Sequence, residues 1–222
     1  MNIKINTRVE KDLLGHKEIP AHCYYGVQTL RALENFNLSP NKLNQFPVFI
    51  NALAMVKAAC AEANFKLNKL EENKYNAIQY ACEQVINYKY HDQFPIDMIQ
   101  GGAGTSTNMN INEVLANIGL EYLEHLKGEY HYLHPNNDIN MSQSTNDVYP
   151  TAIKVGLIFA IEQLNSPFQN LIQSFKNKSD EFSHILKMGR TQLQDAVPMT
   201  LGQEFGAFTN TLYNDLNKLH DI

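Results

Sequence analysis

The carboxy-terminal part of the chain carries a stripe of large apolar residues, spaced three or four positions apart. This spacing places all of them along one side of an α-helix and produces a narrow apolar seam. Seams of this kind pack against other helices in a bundle. The stripe therefore predicts a long bundle helix that begins near Pro198. Its members are Leu201, Phe205, Phe208, Leu212, Leu216 and Leu219.

Apolar residues recur at helical spacing through most of the remaining chain, whereas the first ~45 residues are punctuated by glycine and proline and predict short strands or loops. The chain is therefore expected to be mainly α. A mixed but mostly helical N-terminal domain would cover residues 1–142, and the first long helices of a central bundle would cover 143–222. One helix is expected to start at Pro47, a second to cover Glu71–Asn87, and a third to include Val114–Tyr122 and end at Gly128. A fourth is expected from Pro150 to Leu164, and a fifth from Ser166-Pro167 onward.

The apolar stripe of the last helix continues to Leu219 and Ile222 without a Gly, Asn or Pro that would end a helix. A bundle helix with an exposed seam needs further helices or a partner chain to cover it. We therefore expect the 222 residues to be part of a longer protein.

Composition limits the classes of partner. Eighteen basic and 23 acidic residues give a net charge of −5 without a long run of either sign, which argues against nucleic acid as a partner. The three cysteines are widely spaced and odd in number, as in reduced cytosolic proteins. No signal peptide is apparent, and no uninterrupted apolar run reaches the length of a membrane span. A soluble, cytoplasmic protein without a membrane partner is expected.

Three polar segments stand out between the predicted helices. Gln143–Asp147 places hydroxyl and amide side chains where a helix begins, and a helix start favours anions because its first N–H groups lack partners. Glycines allow a backbone to approach a ligand closely, and loops between rigid helices commonly carry sites. Together the three segments suggest a neutral pocket that favours anions. The other two segments are Gly101–Asn108 and Gly189–Pro198.

Each segment also has an ordinary structural interpretation. Gln143–Asp147 would serve as a helix N-cap, the glycine run as a hinge, and Gly189–Pro198 as a solvated connection between two helices. Arg190 would bind a substrate carboxylate or form a structural salt bridge. His131 and His134 lie three apart, but no third ligand has convincing metal spacing, so we expect no metal site.

The three segments, together with several other motifs in the same order, resemble the aspartase/fumarase superfamily, and among its branches the bacterial aspartases. The similarity extends over essentially all 222 residues. Individually the motifs are weak, but jointly they are specific. They are Arg8–Glu10 with Asp12–Gly15, Tyr24–Val27, Asp92–Pro95, Gly101–Asn110, Asn112–Gly119, Gln143–Asp147 and Met188–Phe205.

The resemblance implies an anti-elimination that releases ammonia from L-aspartate and leaves fumarate. A proton is removed from Cβ, and the negative charge spreads onto the adjacent carboxylate. Hydroxyl and amide donors that bind this group more strongly as its charge grows lower the barrier. The substrate-binding positions that carry over from the family are Thr105, Ser144, Thr145, Asn146, Thr191 and Gln192.

Two positions favour aspartase over fumarase within the superfamily. Gln192 stands where fumarases have a histidine associated with proton handling, and Thr145 stands where they usually have a second serine. Asn137 stands where fumarases often have an aspartate in a secondary anion site, so that site is not carried over. A protonated amino group leaves readily as ammonia, so its departure depends less on a general acid than the departure of hydroxide does.

The family's general base is a serine on a Gly-Ser-Ser loop, and this chain contains no such motif. The resemblance places that serine beyond Ile222, so no catalytic base is expected here and the chain alone should be inactive. It also implies a homotetramer whose active sites are shared between subunits. No cofactor is required, and activation by a divalent cation stays open.

Three alternatives remain. A fumarate hydratase or another fumarate-releasing lyase of the superfamily would keep most of these motifs. A non-catalytic helical subunit would use the seam of the last helix to dock onto a complete family member. A simple dicarboxylate-binding module would bind aspartate or fumarate without reaction.

Overall fold

The computed structural model describes residues 6–221, which form two compact units, the first ending at Leu157 and the second beginning at Ile158. The fold is mainly helical, as the sequence predicted. Short 3₁₀ turns at Leu43–Gln45 and His91–Gln93 and a π-helical turn at Pro135–Ile139 join longer elements. Those elements are β1 (Thr7–Asp12), β2 (Gly15–Pro20), α1 (Val27–Asn35), α2 (Pro47–Lys66), α3 (Glu72–Ile86), α4 (Thr105–Tyr122), α5 (Thr145–Glu181), β3 (Leu186–Thr191), β4 (Gln194–Thr200) and α6 (Leu201–His220).

The N-terminal hairpin β1–β2 is antiparallel, and Gly15 with its φ of +118° forms the tight turn that only glycine adopts without strain. Arg31 of α1 forms a two-pronged ion pair with Asp12 at 2.7 and 2.8 Å, which fastens the hairpin to the helix. Short strands were expected in this part of the chain, and the structure confirms them.

The core of the first unit is built by α2, α3 and α4. Ile50 and Leu53 of α2, Ile78 of α3, and Ile111 and Leu115 of α4 are all fully buried. By length and a mean hydropathy of 1.3, α2 also meets the composition of a membrane span. In the structure it is a core helix, because its apolar side chains pack within the first unit.

Helix α4 ends earlier than the sequence predicted. Gly128 was expected to end it, but the helix stops at Tyr122. Glu124 adopts a left-handed φ of 63°, its N–H reaches the Glu121 carbonyl, and the N–H of His125 reaches the Leu120 carbonyl at 2.9 Å. This is the hydrogen-bond pattern that usually has glycine at its left-handed position. A glutamate in that position gave no sequence signal.

The second unit differs from the prediction in two ways. α5 runs without interruption through Pro167, where a new helix was expected to start, because Ser-Pro is a start signal that a helix interior can also accommodate at a cost. The connection predicted as a polar loop over Gly189–Pro198 is instead part of the antiparallel hairpin β3–β4. α6 begins at Leu201, close to the expected start, with a capping box formed by Thr200 and Gln203.

Aromatic side chains hold the second unit together. Phe205 of α6 lies 5.7 Å from the ring of Phe175 and 5.5 Å from that of Phe182, both in the part of α5 that belongs to this unit. Phe208 adds an edge-to-face contact with Phe175 at 6.0 Å. Contacts of this geometry stabilise beyond the area they bury. Phe205 and Phe208 belong to the predicted apolar seam, which therefore packs against another helix as expected.

Candidate functional site

The polar segment Gln143–Asp147 forms the start of α5, as the sequence predicted. Ser144 precedes the first helical residue, and its carbonyl accepts the N–H groups of Asp147 at 3.0 Å and Val148 at 3.1 Å. The Ser144 hydroxyl accepts the N–H of Asn146 at 3.3 Å. Ser144 and Asn146 are exposed and Thr145 is half-buried. Three hydrogen-bonding side chains therefore surround a helix start, which carries partial positive charge.

The glycine-rich segment leads directly into α4, whose first residue is Thr105. Gly102, Ala103 and Gly104 all have positive φ values of 74°, 51° and 91°. The exposed hydroxyl of Thr105 donates to the Gly102 carbonyl and closes the turn. The segment is thus a tight left-handed turn at a second helix start.

A cleft of about 400 Å³ brings these two segments together within the first unit. Ala103 and Gly104 lie on one side, and Asn146 with Tyr149 on the other. A Cβ atom on Gly104 would come within 2.5 Å of the Tyr149 ring, so glycine allows the turn to approach α5 this closely. Met98, Gln100 and Pro150 complete the lining. Two of the three predicted polar segments therefore contribute to one cleft.

Buried amides beneath the cleft connect α4 to the start of α5. The Asn108 side-chain nitrogen donates to Asn140 Oδ1 at 3.0 Å and to the Thr145 hydroxyl at 3.3 Å. The Asn140 amide nitrogen in turn donates to the carbonyl of Gln143 at 3.0 Å. Asn108 is only 3% exposed, so these bonds are shielded from water and strengthened by the low local dielectric.

Lys57 of α2 is a charged residue that hydrogen-bonds directly to this network. It is fully buried and donates to Asn140 Oδ1 at 2.8 Å and to Gln143 Oε1 at 2.9 Å. Burial lowers the pKa of this lysine to about 7. Sequence reasoning placed Asn108 in the glycine-rich polar segment but did not single out Lys57 or Asn140. The available signal was a lysine at helical spacing from Ile50 and Leu53, on a face that is otherwise apolar.

Thr191 and Gln192, the remaining predicted site residues, lie in the second unit at the turn of the hairpin β3–β4. Thr191 ends β3 and is paired with Gln194, and Gln192 and Leu193 form the two-residue turn between them. Both turn residues have positive φ values, 50° and 65°, as this kind of tight hairpin requires. Thr191 and Gln192 are both exposed.

His134, one of the two histidines noted in the sequence, has a structural explanation. His134 Nδ1 accepts the N–H groups of Asn136 at 3.0 Å and Asn137 at 3.2 Å, and so caps the π-helical turn. Between residues 6 and 221, no three His, Cys, Asp or Glu side chains lie close enough together to hold a metal ion.

Comparison with known proteins is consistent along the whole chain. A protein family described as lyase matches residues 15–222. The aspartate ammonia-lyase of Pseudomonas canavaninivorans is 59% identical over 222 residues, which is all of this chain and 47% of that protein. The aspartate ammonia-lyase of Escherichia coli K12 is 54% identical over 215 residues, 96% of this chain and 45% of that protein. The chain thus spans about half the length of the curated relatives it matches.

Solved structures show the same relationship. The fumarate lyase:delta crystallin of Brucella melitensis superposes with a TM-score of 0.91 at 53% identity, covering 97% of this chain and 50% of that one. The class II fumarase of Schistosoma mansoni superposes with a TM-score of 0.82 at 36% identity, covering 96% of this chain and 44% of that one. Because the family match extends over nearly the whole sequence, the chain belongs to this family of lyases.

Proposed function

We propose that this chain forms the N-terminal portion of an aspartate ammonia-lyase, which eliminates ammonia from L-aspartate and forms fumarate. The observation that carries the proposal is the identity of 59% to the Pseudomonas canavaninivorans aspartate ammonia-lyase across all 222 residues. The cleft between the glycine-rich turn and the start of α5 supports it, because the donors there suit a carboxylate.

In the proposed reaction, Thr105, Ser144, Thr145 and Asn146 bind one carboxylate of the substrate. When the Cβ proton leaves, the electron pair spreads onto this carboxylate and its negative charge grows. Hydroxyl and amide donors and the N-terminus of α5 interact more strongly with the more highly charged group, and this difference lowers the barrier. The electron pair then returns to form the Cα=Cβ double bond of fumarate, while the C–N bond of the protonated amino group breaks and neutral ammonia departs with the electron pair of that bond.

We further propose that the active protein is a homotetramer. Thr191 and Gln192, at an exposed hairpin turn, would contact substrate in a site to which more than one subunit contributes. The general base would be a serine on a Gly-Ser-Ser loop, a motif that these 222 residues do not contain. We propose a soluble cytoplasmic enzyme that needs no cofactor, with L-aspartate and fumarate as its small-molecule partners and neither nucleic acid nor membrane among them.

Two observations favour an aspartase over a fumarase, the overall sequence identity and the residue at position 192. Identity is 59% to an aspartate ammonia-lyase but 36% to a class II fumarase. Gln192 offers no titratable group to handle the proton that hydroxide needs in order to leave as water. Hydration of fumarate to L-malate is therefore expected to be a minor activity or absent.

The experiment uses a hybrid enzyme, in which this chain replaces the corresponding N-terminal residues of the Pseudomonas aeruginosa aspartate ammonia-lyase, a relative 60% identical over 98% of this chain. We expect the hybrid enzyme to produce fumarate from L-aspartate, followed by ultraviolet absorbance, and not from L-malate. Preference for L-malate would overturn the proposal. The 222 residues alone are expected to be inactive, and robust turnover by them would refute the assignment of the base to another segment.

A pair of variants tests the site within the hybrid enzyme. Thr145→Val keeps the shape but removes the hydroxyl, and is expected to lower kcat roughly 100-fold, the usual cost of one lost oxyanion donor. Thr151→Val, on the exposed side of the same helix, is the matched control and is expected to retain activity. Equal activity of both variants would argue against the cleft as the carboxylate site.

A further inference from the structure

Lys57 is an ammonium group buried without an acidic partner. It is 0% exposed, and no carboxylate lies within ion-pair distance of it among residues 6–221. Its hydrogen bonds instead go to two neutral amide oxygens, on Asn140 and Gln143. Burying a charge without a counter-ion costs roughly several kcal/mol, so the residues around Lys57 leave its charged form without compensation.

The groups that face Lys57 leave its charge unbalanced. Its own helix α2 supplies the Cys60 thiol, and α3 supplies the Cys82 thiol. α4 contributes the neutral amides of Asn108 and Asn112, which donate to the same Asn140 oxygen at 3.0 and 3.4 Å. The charge of Asp147 in α5 helps to raise the pKa of the Cys60 thiol. Burial raises the pKa of both thiols, so both are neutral near pH 7.

Both acceptors of Lys57 belong to the short connection that leads into the proposed carboxylate site. Gln143 directly precedes Ser144, and its side-chain nitrogen donates to the carbonyls of Ile139 at 2.9 Å and Met141 at 3.2 Å. Asn140 donates to the Gln143 carbonyl at 3.0 Å. Lys57 thus holds both ends of a folded turn whose next residues are the proposed ligands.

We propose that Lys57 is a positioning residue of the carboxylate site, which fixes the turn that presents Ser144, Thr145 and Asn146 and supplies the buried cationic charge that the bound dicarboxylate balances. This inference rests on the proposed function of the cleft. It assigns an electrostatic role to a residue that does not touch the substrate. The side chains that line the cleft are neutral, and Lys57 would add positive charge from outside it, behind the turn that it holds.

One consequence concerns protons. In the ligand-free protein, Lys57 loses its proton as the pH rises past about 7. A bound dicarboxylate favours the charged lysine, so it raises the lysine's pKa. Binding above pH 7 therefore takes up a proton, and by linkage the affinity for a dicarboxylate weakens as the pH rises through this range.

The kinetic test compares Lys57→Met with Lys74→Met in the hybrid enzyme. Lys74 is a matched control, because it also anchors the preceding turn, through Asp138 at 2.9 Å, but its charge is already paired. Lys57→Met is expected to raise KM for L-aspartate about tenfold, the scale of one charge-assisted interaction, and to abolish the rise of KM with pH. Lys74→Met is expected to keep both KM and its pH dependence. An unchanged KM and pH profile in Lys57→Met would overturn the inference.

A second measurement needs neither a variant nor turnover. Succinate, a dicarboxylate that cannot lose ammonia, is titrated into the unmodified hybrid enzyme near pH 8, in buffers of different ionisation enthalpy. Calorimetry is expected to show net proton uptake on binding, and binding without uptake would overturn the inference. If the hybrid enzyme takes up a proton with succinate but does not convert L-aspartate, the proposed function fails and the role of Lys57 stands.

Discussion

The side-chain amide of Asn108 in α4 donates a hydrogen bond to the hydroxyl of Thr145, the first residue of α5, over 3.3 Å. A hydroxyl has one proton to donate and two lone pairs that accept. Because Asn108 occupies a lone pair, the hydroxyl proton of Thr145 is left to point elsewhere. In the proposed site this bond orients Thr145 as a donor toward the substrate carboxylate.

Asn108→Ala should therefore reduce catalysis without touching the substrate. We expect kcat/KM for L-aspartate in the hybrid enzyme to fall about tenfold, because one oriented donor is lost from the transition state. Asn110→Ala is the control, since Asn110 is equally buried on the same helix but donates to the Gln93 carbonyl. A similar loss of kcat/KM in both variants would indicate general destabilisation instead.

Gly104→Ala should damage the cleft. Gly104 has a φ of 91°, and an added Cβ would meet the Tyr149 ring at 2.5 Å, so the substitution combines backbone strain with overpacking. We expect the free energy of unfolding to fall by about 2 kcal/mol, measured by denaturant titration. Gly101→Ala is the control in the same turn, because a Cβ there would meet Phe36 at an ordinary 3.4 Å.

Glu113 should make the stability of the first unit depend on pH. Burial raises the pKa of this carboxyl from 4.5 to about 7, opposed by hydrogen bonds from Thr29 and reinforced by the nearby charge of Glu10. Between pH 4.5 and 7 the folded state therefore holds a proton that the unfolded state releases. The free energy of unfolding accordingly decreases as the pH rises through this window, by an amount of the order of 3 kcal/mol.

Glu113→Gln removes this dependence, although it also weakens the capping of α1, whose first N–H groups bind Glu113. The measured quantity is the difference in unfolding free energy between the unmodified protein and the variant. It should shrink from pH 4.5 to pH 7 and then stay constant. The exposed Glu83→Gln serves as the control. A difference that does not vary with pH would contradict the prediction.

Pro167→Ala should stabilise the second unit. Proline in a helix interior removes one backbone hydrogen bond and costs up to about 3 kcal/mol relative to alanine. α5 continues through this residue from Thr145 to Glu181, so alanine restores the missing donor. The thermal midpoint of unfolding is expected to rise, whereas Ser166→Ala should change it little. An unchanged or lower midpoint for Pro167→Ala would show that the proline has a packing role.

Periodic patterns in the sequence were reliable where the apolar spacing was long and regular. α3 begins and ends within one residue of its predicted bounds, and α2 and α6 begin at or near their predicted starts, because burial of one face determines where such helices form. Local signals were less reliable. Ser166-Pro167 favours a helix start but is accommodated here within a helix, and the turn at Gln192 and Leu193 contains no glycine that would have indicated a hairpin.

The candidate site was predicted in part. The polar side chains at the starts of α4 and α5 were recognisable from composition, and the cleft between them contains Gly104 and Asn146. Lys57 was not recognised, and the contacts of Asn108 were not foreseen, because both residues bind Asn140, more than thirty positions away from Asn108 and more than eighty from Lys57. Such pairings arise only when helices pack, and no local spacing encodes them. The roles of all six predicted residues as substrate ligands stay predictions.

The hairpin that carries Thr191 and Gln192 restricts how this part of the molecule can diverge. Its strands are held in register from Thr191–Gln194 to Leu186–Thr200, with an irregularity between Met188 and Arg190 that already accommodates one offset. Inserting or deleting one residue at the two-residue turn would flip every later side chain to the opposite face of the ribbon. A substitution at position 192 changes only the exposed tip of the hairpin and leaves the register of its strands in place.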